Sequence, residues 1–390
     1  MPHIERLSAI LVDLPIVRPH LLAMTAVEQR TLVIVRLLCS DGIEGLGEAT
    51  SIGGLAYGEE SPEGVKLTID TFLAPALIGK EATNINAASA LAGRVVKGNP
   101  FAKAAIETAL LDAEGKRRGL SITELLGGAV RDALPVLWTL ASGDTARDIA
   151  EAEELLAARR HRVFKIKVGR LPLSDDLAHV LAIRRALGDR AGLTVDVNQR
   201  WEEAEAARAI ATLEDAGIDL VEQPISKYNR AGLARLAARF VVPIMADEAV
   251  CGPEDAFDLA RQAAADIFAL KIAKSGGLHA ARRTAAVADA AGVSLYGGTM
   301  LDGTIGSVAA AHVFRALPLL QWGTELFGPL LLKDDIVTTL PEYKDFHLHI
   351  RPGAGLGIEL DENKLAFYRR DRSSRSTVGN FGPVHHVVPR

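Results

Sequence analysis

Short apolar runs alternate with amphipathic segments of helical length from Pro135 onward. Seven helix-length segments separate eight such runs, which cover residues 136–140, 163–168, 193–197, 220–222, 244–246, 267–272, 294–296 and 320–325. Buried parallel strands are typically short and continuously apolar, and each needs a helical crossover before the next strand. Eight strands with seven intervening helices make a closed parallel barrel. The pattern therefore predicts an α/β fold built on a (β/α)7β-type TIM barrel.

The first third of the chain has a different pattern. Strand-like runs at residues 7–12 and 31–37 are followed by the turn Asp41-Gly42 and by Gly45-Leu46-Gly47-Glu48, which is typical of an antiparallel meander. Helical periodicity follows over residues 61–77, 83–96 and 100–118. Two segments without periodicity, 18–28 and 53–58, are expected to be loops, and the second could act as a lid.

These patterns divide the chain into four parts. We expect an α+β capping domain over residues 1–130 and the barrel over residues 131–334. Residues 335–370 contain the glycine-rich stretch Pro352–Gly357, which suits a segment that returns to the capping domain. Residues 371–390 are polar and aperiodic, so we expect a flexible tail there.

Charged residues end five successive barrel strands. Lys165 and Lys167 lie on the second, and Asp196, Glu222, Asp247 and Lys271 end the next four. The separations from Lys167 to Asp196, Glu222, Asp247 and Lys271 in turn are 29, 26, 25 and 24 residues. Because parallel strands deliver their carboxyl ends to one mouth of a barrel, these groups should converge there.

The three carboxylates predict a metal site. Strands in a sheet lie about 4.8 Å apart, so Asp196, Glu222 and Asp247 would repel one another without a cation between them. Oxygen ligands without histidine or cysteine favour Mg²⁺ or Mn²⁺ over Zn²⁺. Any one acid could instead cap a helix, but that explains three in register poorly. Asn198 and Glu248 lie next to ligands in the sequence and could orient them.

The lysines predict acid–base chemistry. Lys165 and Lys167 alternate along one strand, so both should face the barrel mouth and lower each other's pKa. That would make Lys167 a proton donor or acceptor, with Lys271 across the barrel. A surface pair of lysines, or a Schiff-base lysine, would explain none of the three carboxylates. Glu325, at the end of the eighth strand, could donate a proton or hydrogen-bond a cationic base, and His20 is the histidine we expect near a substrate.

Composition excludes several classes of function. The net charge of the chain is -5 and its folded part has no basic run, so a nucleic-acid partner is not expected. No apolar run approaches 18 residues, and charged residues interrupt the N-terminus, so neither a membrane span nor an export signal is expected. Two cysteines, Cys39 and Cys251, suit a reducing cytoplasm.

The set of strand-end residues resembles the enolase superfamily, and specifically its muconate-lactonizing subgroup. The resemblance rests on Lys-x-Lys, the three carboxylates and Lys271, and covers residues 1 to about 370. It implies metal-dependent syn-lactonisation of cis,cis-muconate to muconolactone through an enediolate, in catechol breakdown by the β-ketoadipate pathway. It also implies one Mn²⁺ or Mg²⁺ per subunit, a dicarboxylate substrate, a cytoplasmic homo-octamer, and substrate contacts by Ile52, Tyr57, Asn198 and Phe327.

Other functions fit the same residues. An N-acylamino acid racemase or a dipeptide epimerase would use Lys167 and Lys271 as two bases on opposite faces of the substrate. A chloromuconate cycloisomerase differs in substrate alone, although Ile52 and Phe327 look more like the enzymes for unsubstituted muconate. A non-catalytic binding barrel is a poorer explanation, because all five charged strand ends are filled.

Overall fold

The structure, a computed structural model, describes residues 1–372. The flexible tail predicted for residues 371–390 lies outside the described residues from position 373 onward. No helix within residues 1–372 is long and apolar enough to cross a membrane.

The capping domain begins with three strands and continues with helices. Its elements are β1 (Ile4–Leu21), β2 (Ala26–Cys39), β3 (Glu44–Thr50), α1 (Pro62–Thr68), a π-helical turn (Ile69–Leu73), α2 (Ala74–Leu77), α3 (Ile85–Val95), α4 (Pro100–Arg118) and α5 (Ile122–Leu125). The strands form an antiparallel sheet in the order β1-β2-β3. Helix α4 lies directly on β3, and the close approach requires glycine at positions 45 and 47. A Cβ atom at either position would come within 1.9 Å of a carbonyl oxygen of α4.

The barrel and the C-terminal segment follow. Their elements are β4 (Leu134–Pro135), β5 (Trp138–Leu140), α6 (Thr145–Ala157), β6 (Val163–Lys167), α7 (Leu173–Leu187), β7 (Gly192–Asp196), α8 (Glu203–Asp215), β8 (Leu220–Glu222), α9 (Arg230–Arg239), β9 (Ile244–Ala246), α10 (Pro253–Arg261), β10 (Ile267–Leu270), α11 (Ile272–Ser275), α12 (Leu278–Ala291), β11 (Ser294–Gly297), α13 (Thr304–Ala316), α14 (Gly328–Leu331), β12 (Glu342–Lys344), β13 (His347–His349) and α15 (Glu362–Tyr368). The 3₁₀ turns Gly188–Arg190 and Arg370–Arg372 complete the set for residues 1–372.

Strands β5 to β11 form a seven-stranded parallel sheet in sequence order, which confirms the predicted fold class. The eighth predicted strand, 320–325, is not a regular strand. In this segment, Thr324 forms isolated parallel β-bridges to Val136, just before β5, and to Gly297 of β11 at the opposite edge of the sheet. Gly323 adopts a left-handed φ of 65°, which interrupts the extended backbone before this contact. The barrel is therefore closed by a short bridge instead of a full strand.

The prediction of a loop over residues 18–28 is wrong. Strand β1 continues to Leu21 and β2 starts at Ala26, which leaves only a short turn between them. The register of the pair shifts between Pro15 and His20. Because β1 is an edge strand, its prolines at positions 15 and 19 remove no hydrogen bond that a neighbouring strand needs.

Two carboxylates of the capping domain bind the N-terminal ends of successive barrel helices. Glu48 of β3 accepts hydrogen bonds from the backbone N–H groups of Gly303 (2.6 Å) and Gly306 (2.9 Å) at the start of α13. Glu107 of α4 accepts one from His279 N–H (2.9 Å) at the start of α12. Unpaired N–H groups and the helix dipole make these ends favourable sites for an anion. The capping domain is thus tied to the mouth of the barrel.

The C-terminal segment packs against the capping domain. Leu356 N–H donates to Asp112 Oδ1 of α4 (2.8 Å), and Gly355 N–H donates to Leu120 O (2.8 Å). His312 of α13 joins three parts of the fold, because its Nδ1 lies 2.7 Å from Thr123 Oγ1 and its Nε2 lies 3.3 Å from Leu356 O.

Candidate active site

The parallel register brings the predicted strand-end groups side by side. Lys167 pairs with Asp196 across β6 and β7, and Asp196 pairs with Glu222 across β7 and β8. Asp247 directly follows β9, and Lys271 directly follows β10. All of these residues except Lys167 are less than 5% exposed. The expectation that the strand ends converge at one mouth therefore agrees with the geometry.

A small cavity lies at this mouth, between the barrel and the capping domain. Its volume is about 20 Å³. Nine of the predicted site residues line it: His20, Ile52, Tyr57, Lys167, Asp196, Asn198, Lys271, Glu325 and Phe327. Leu22, Thr139, Thr299 and Leu301 complete the lining. We call this space the catalytic cavity.

Lys165 lies beneath the cavity between two acids. Its Nζ is 2.5 Å from Glu222 Oε2 and 2.5 Å from Glu325 Oε2, and its side chain is 1% exposed. Burial alone would lower the pKa of Lys165, but Glu222 and Glu325 raise it well above its usual value. The sequence-based expectation of a lowered pKa is wrong for Lys165, because it weighed the neighbouring lysine and not the carboxylates.

Lys167 is held by the next two strand ends. It forms a short hydrogen bond and ion pair with Asp196, and its Nζ donates to Asn198 Oδ1 at 3.1 Å. Asn198 Nδ2 in turn donates to Glu248 Oε1 at 3.1 Å. The backbone of Asn198 has a left-handed φ of 45°, which turns its amide back toward the lysine. The Asn198 amide therefore links Lys167 to Glu248, with one hydrogen bond to each side chain.

Two lysines and a tyrosine surround Asp247. Lys271 Nζ lies 2.6 Å from Asp247 Oδ2, and Lys274 Nζ lies 2.5 Å from Oδ1. Tyr57, on the loop between β3 and α1, donates its hydroxyl hydrogen to Asp247 Oδ2 at 2.8 Å and accepts one from Lys271 at 3.0 Å. Burial would raise the pKa of Asp247, but the two lysines hold it far below its ordinary value.

Glu222 stands apart from the other acids. Neither of its carboxylate oxygens has a hydrogen bond, and the side chain is 1% exposed. Lys165 lies at ion-pair distance from Oε2 but outside hydrogen-bond geometry. Burial, followed by the nearby charge of Asp196, raises the pKa of Glu222 well above its usual value. A second cation beside Glu222 would relieve this cost.

The acids do not themselves form a closed ligand cluster. Within residues 1–372, no three acidic, histidine or cysteine side chains are arranged closely enough to hold a metal ion. Asp196 and Asp247 are turned toward lysines instead. Their strand ends are adjacent, since Asp196 pairs with Glu222 and Glu222 pairs with Met245, two residues before Asp247.

Some contacts of the site were not predicted. Gln223 Oε1 accepts hydrogen bonds from the N–H groups of Asp247 (2.9 Å) and Ala249 (3.1 Å), which fixes the backbone beside the acid. Glu325 accepts from Tyr296 and from Thr299 N–H, both at 3.1 Å. Thr299 and Leu301 follow the seventh strand, and that position alone indicates a place at the mouth. His20 is 1% exposed and both its ring nitrogens lack a hydrogen-bond partner.

Comparisons with known proteins agree with this geometry. Residues 6–127 match the family model of the mandelate racemase/muconate lactonizing enzyme N-terminal domain, and residues 147–364 match that of the enolase C-terminal domain-like family. Muconate cycloisomerase 1 of Pseudomonas putida is 61% identical over 94% of this chain and 98% of its own length. The chloromuconate cycloisomerase CbnB of Cupriavidus necator is 47% identical over 94% of this chain and 99% of its own.

Solved structures show the same relationship. The muconate lactonizing enzyme of Pseudomonas fluorescens, solved in complex with muconolactone, superposes with a TM-score of 0.94. It shares 61% identity with this chain and covers 94% of it and 99% of itself. This chain therefore belongs to the mandelate racemase/muconate lactonizing enzyme family of the enolase superfamily, as its strand-end residues predicted.

Proposed function

We propose that this chain catalyses the reversible syn cycloisomerisation of cis,cis-muconate to muconolactone. The observation that carries the proposal is a relative of 61% identity whose structure holds muconolactone, together with the buried lysines and acids around one cavity. Identity is higher to the enzyme for unsubstituted muconate (61%) than to a chloromuconate cycloisomerase (47%), which supports the unsubstituted substrate.

The acids at the mouth suit a divalent cation. Asp196, Glu222 and Asp247 offer hard oxygen donors on successive strand ends, and the buried oxygens of Glu222 lack hydrogen bonds. Enolase-superfamily sites combine a lysine or histidine base with one or two Mg²⁺ ions. We infer that these acids hold one Mn²⁺ or Mg²⁺ per subunit. When bound, it would supply Lewis-acid stabilisation for the negative charge that develops on the substrate carboxylate.

The lysines supply the proton and fixed positive charge. In the forward direction, a carboxylate oxygen of muconate bonds to a carbon of the conjugated system, and Lys167 delivers its proton to the carbon that becomes electron-rich. In the reverse direction Lys167 removes that proton. Lys271 stabilises developing negative charge from the opposite wall, and Lys165 remains protonated between Glu222 and Glu325. Asn198 keeps the amine of Lys167 oriented, and Glu248 orients Asn198.

The capping domain completes the site. His20, Ile52 and Tyr57 of the capping domain, together with Phe327 of the barrel, surround the substrate and exclude water from the reacting carbon. His20 stays neutral, because burial and then the charge of Lys167 keep its pKa well below the usual value. A neutral imidazole can donate a hydrogen bond to a substrate oxygen without removing a proton from Lys167.

The cellular setting follows from the same function. We expect a cytoplasmic enzyme of aromatic catabolism, in keeping with the free thiols of Cys39 and Cys251. The homo-octamer that the resemblance implies is also a proposal, and light scattering of the purified protein would test it.

The experiment follows the loss of muconate ultraviolet absorbance with Mn²⁺, and again after chelation. Lys167→Ala should lower kcat by about 10²- to 10⁴-fold, the usual contribution of a positioned acid–base group. Lys97→Ala is the matched control, because Lys97 is exposed and its amine contacts only a backbone carbonyl. Turnover without any metal dependence would contradict the role of the acids, and near-wild-type turnover of Lys167→Ala would contradict the role of that lysine.

A further inference from the structure

A second and larger cavity adjoins the catalytic cavity. Its volume is about 420 Å³, within the range of roughly 300–1,000 Å³ that ligand pockets usually occupy. It lies between the turn after β1, the end of β5 and the helices α6 and α7. The mechanism proposed above uses none of this space. We call it the side cavity.

Leu22 and Lys167 are the two residues that line both cavities. Leu22 is 2% exposed, so its side chain is packed among the residues where the two cavities adjoin. The backbone around it is fixed, since Leu21 N–H donates to Ala141 O (3.0 Å) and Leu22 N–H donates to Thr25 O (2.9 Å). A shorter side chain at position 22 would therefore join the two spaces while the surrounding backbone keeps its contacts.

Two parts of the lining of the side cavity differ in chemistry. One part of the lining is apolar, with Leu21, Leu140, Ala141 and Val168. In the polar part, three acids (Asp148, Asp175 and Asp176) outnumber Arg170, and the oxygen Oδ2 of the buried Asp148 lies 3.5 Å from His179 Nε2. A buried carboxylate disfavours a second anion beside it. An apolar group therefore suits this space, and a further carboxylate does not.

We propose that the side cavity is a latent subsite for an apolar substituent of the substrate, and that Leu22 closes it. This inference rests on the proposed function. The catalytic cavity, at about 20 Å³, offers no space for a bulky substituent. A muconate with a bulky apolar substituent must place that group elsewhere, and the side cavity is the adjoining space whose lining includes the proton donor Lys167. Leu22 then sets the size limit of the substrate.

The test measures kcat/KM for unsubstituted cis,cis-muconate and for cis,cis-muconate with a phenyl group at carbon 2 or carbon 3, its two chemically distinct CH positions. The quantity compared between variants is the ratio of the substituted to the unsubstituted value. Leu22→Ala should raise the ratio of the two values by at least about tenfold, the order of discrimination that small changes in an apolar pocket produce. Leu301→Ala is the matched control, because Leu301 lines the catalytic cavity but not the side cavity. Its ratio should stay within about threefold of the wild type.

A second variant reverses the effect. Ala141 lines only the side cavity, so Leu22→Ala/Ala141→Leu should return the ratio toward the wild-type value. A carboxyl-substituted muconate should gain nothing from Leu22→Ala. An equal rise in Leu22→Ala and Leu301→Ala, or no rise in Leu22→Ala while unsubstituted muconate is still converted, would overturn the proposal.

Two further measurements keep the outcome decisive. Leu22→Val replaces Leu22→Ala if the larger truncation does not fold, and a rise in the same direction is expected. A crystal structure of the variant with the phenyl-substituted lactone should place the ring against Leu140, Ala141 and Val168, and a ring elsewhere would overturn the subsite. A wild-type protein that does not convert unsubstituted muconate would instead contradict the proposed function, and the crystal structure would still decide the subsite.

Discussion

Replacing Lys165 with methionine would expose the charge balance beneath the catalytic cavity. Its amine lies 2.5 Å from one oxygen of Glu222 and 2.5 Å from one of Glu325. At an effective dielectric constant of about 20, each contact of that length has a gross attraction of roughly 6–7 kcal/mol. The desolvation of three buried charges offsets much of this, and removal of one partner from a buried ion pair typically costs about 3–5 kcal/mol. We expect the free energy of unfolding of Lys165→Met to fall by about that amount in the presence of a chelator.

A divalent cation should restore part of the loss. In the variant, Glu222 keeps its unpaired oxygens and has lost its cation, so a bound Mn²⁺ would neutralise a charge that is otherwise uncompensated. The increase in stability on addition of Mn²⁺ should therefore be larger for Lys165→Met than for the wild type. Lys165→Met/Glu325→Gln should be more stable than the single variant in chelator, because one of the two stranded charges is gone.

Guanidinium unfolding, with and without Mn²⁺, measures these differences. Lys344→Met is the matched surface control, since Lys344 pairs with Glu342 at 3.0 Å but both side chains are more than half exposed. That variant should change stability by less than about 0.5 kcal/mol. If Lys165→Met were as stable as Lys344→Met in chelator, or if Mn²⁺ stabilised both equally, the assignment of Lys165 as the counter-charge of Glu222 and Glu325 would be wrong.

Three further predictions concern the acids and the domain contacts. Asp247→Asn should weaken Mn²⁺ binding, and excess Mn²⁺ should partly rescue turnover; calorimetric titration that gives the wild-type affinity would contradict this. Burial lowers the pKa of His312 from 6.5 to about 4. Between pH 6.5 and pH 4 the imidazole therefore binds a proton when the protein unfolds, and the free energy of unfolding should fall by up to about 3 kcal/mol as the pH drops through that range. His312→Gln should flatten that pH dependence in unfolding experiments, and an unchanged slope would refute the assignment. Glu48→Ala should lower the free energy of unfolding by about 1–2 kcal/mol, because it removes the acceptor for two backbone N–H groups at the start of α13, and an unchanged unfolding midpoint would argue against that contact.

The sequence predicted the barrel and the convergence of its charged strand ends because of one geometric rule. Parallel strands connected by helices place their carboxyl ends at a single mouth, so the spacing of Lys167, Asp196 and Glu222 already implied that they lie side by side. The observed register pairs these three residues in that order. The family that these residues predicted is confirmed by the comparisons.

Contacts that depend on tertiary distances were beyond the sequence. Nothing in the segment around Tyr57 indicates that its hydroxyl reaches Asp247, because that contact spans two domains. The pKa of Lys165 depends on how closely Glu222 approaches, and strand spacing alone does not give that distance. The extension of β1 to Leu21 was hidden by its prolines, which are tolerated only because the strand lies at an edge.

The anchoring of the capping domain limits how the cavity can open. Glu48 is bound to the barrel two residues before β3 ends at Thr50, and Glu107 binds a neighbouring barrel helix. A hinged swing of the whole domain would break both contacts at once, whereas bending of the chain after Thr50 would break neither. Substrate admission is therefore a local event of short segments such as the one that carries Tyr57, and stiffening that segment should slow product release while it leaves the rest of the molecule in place.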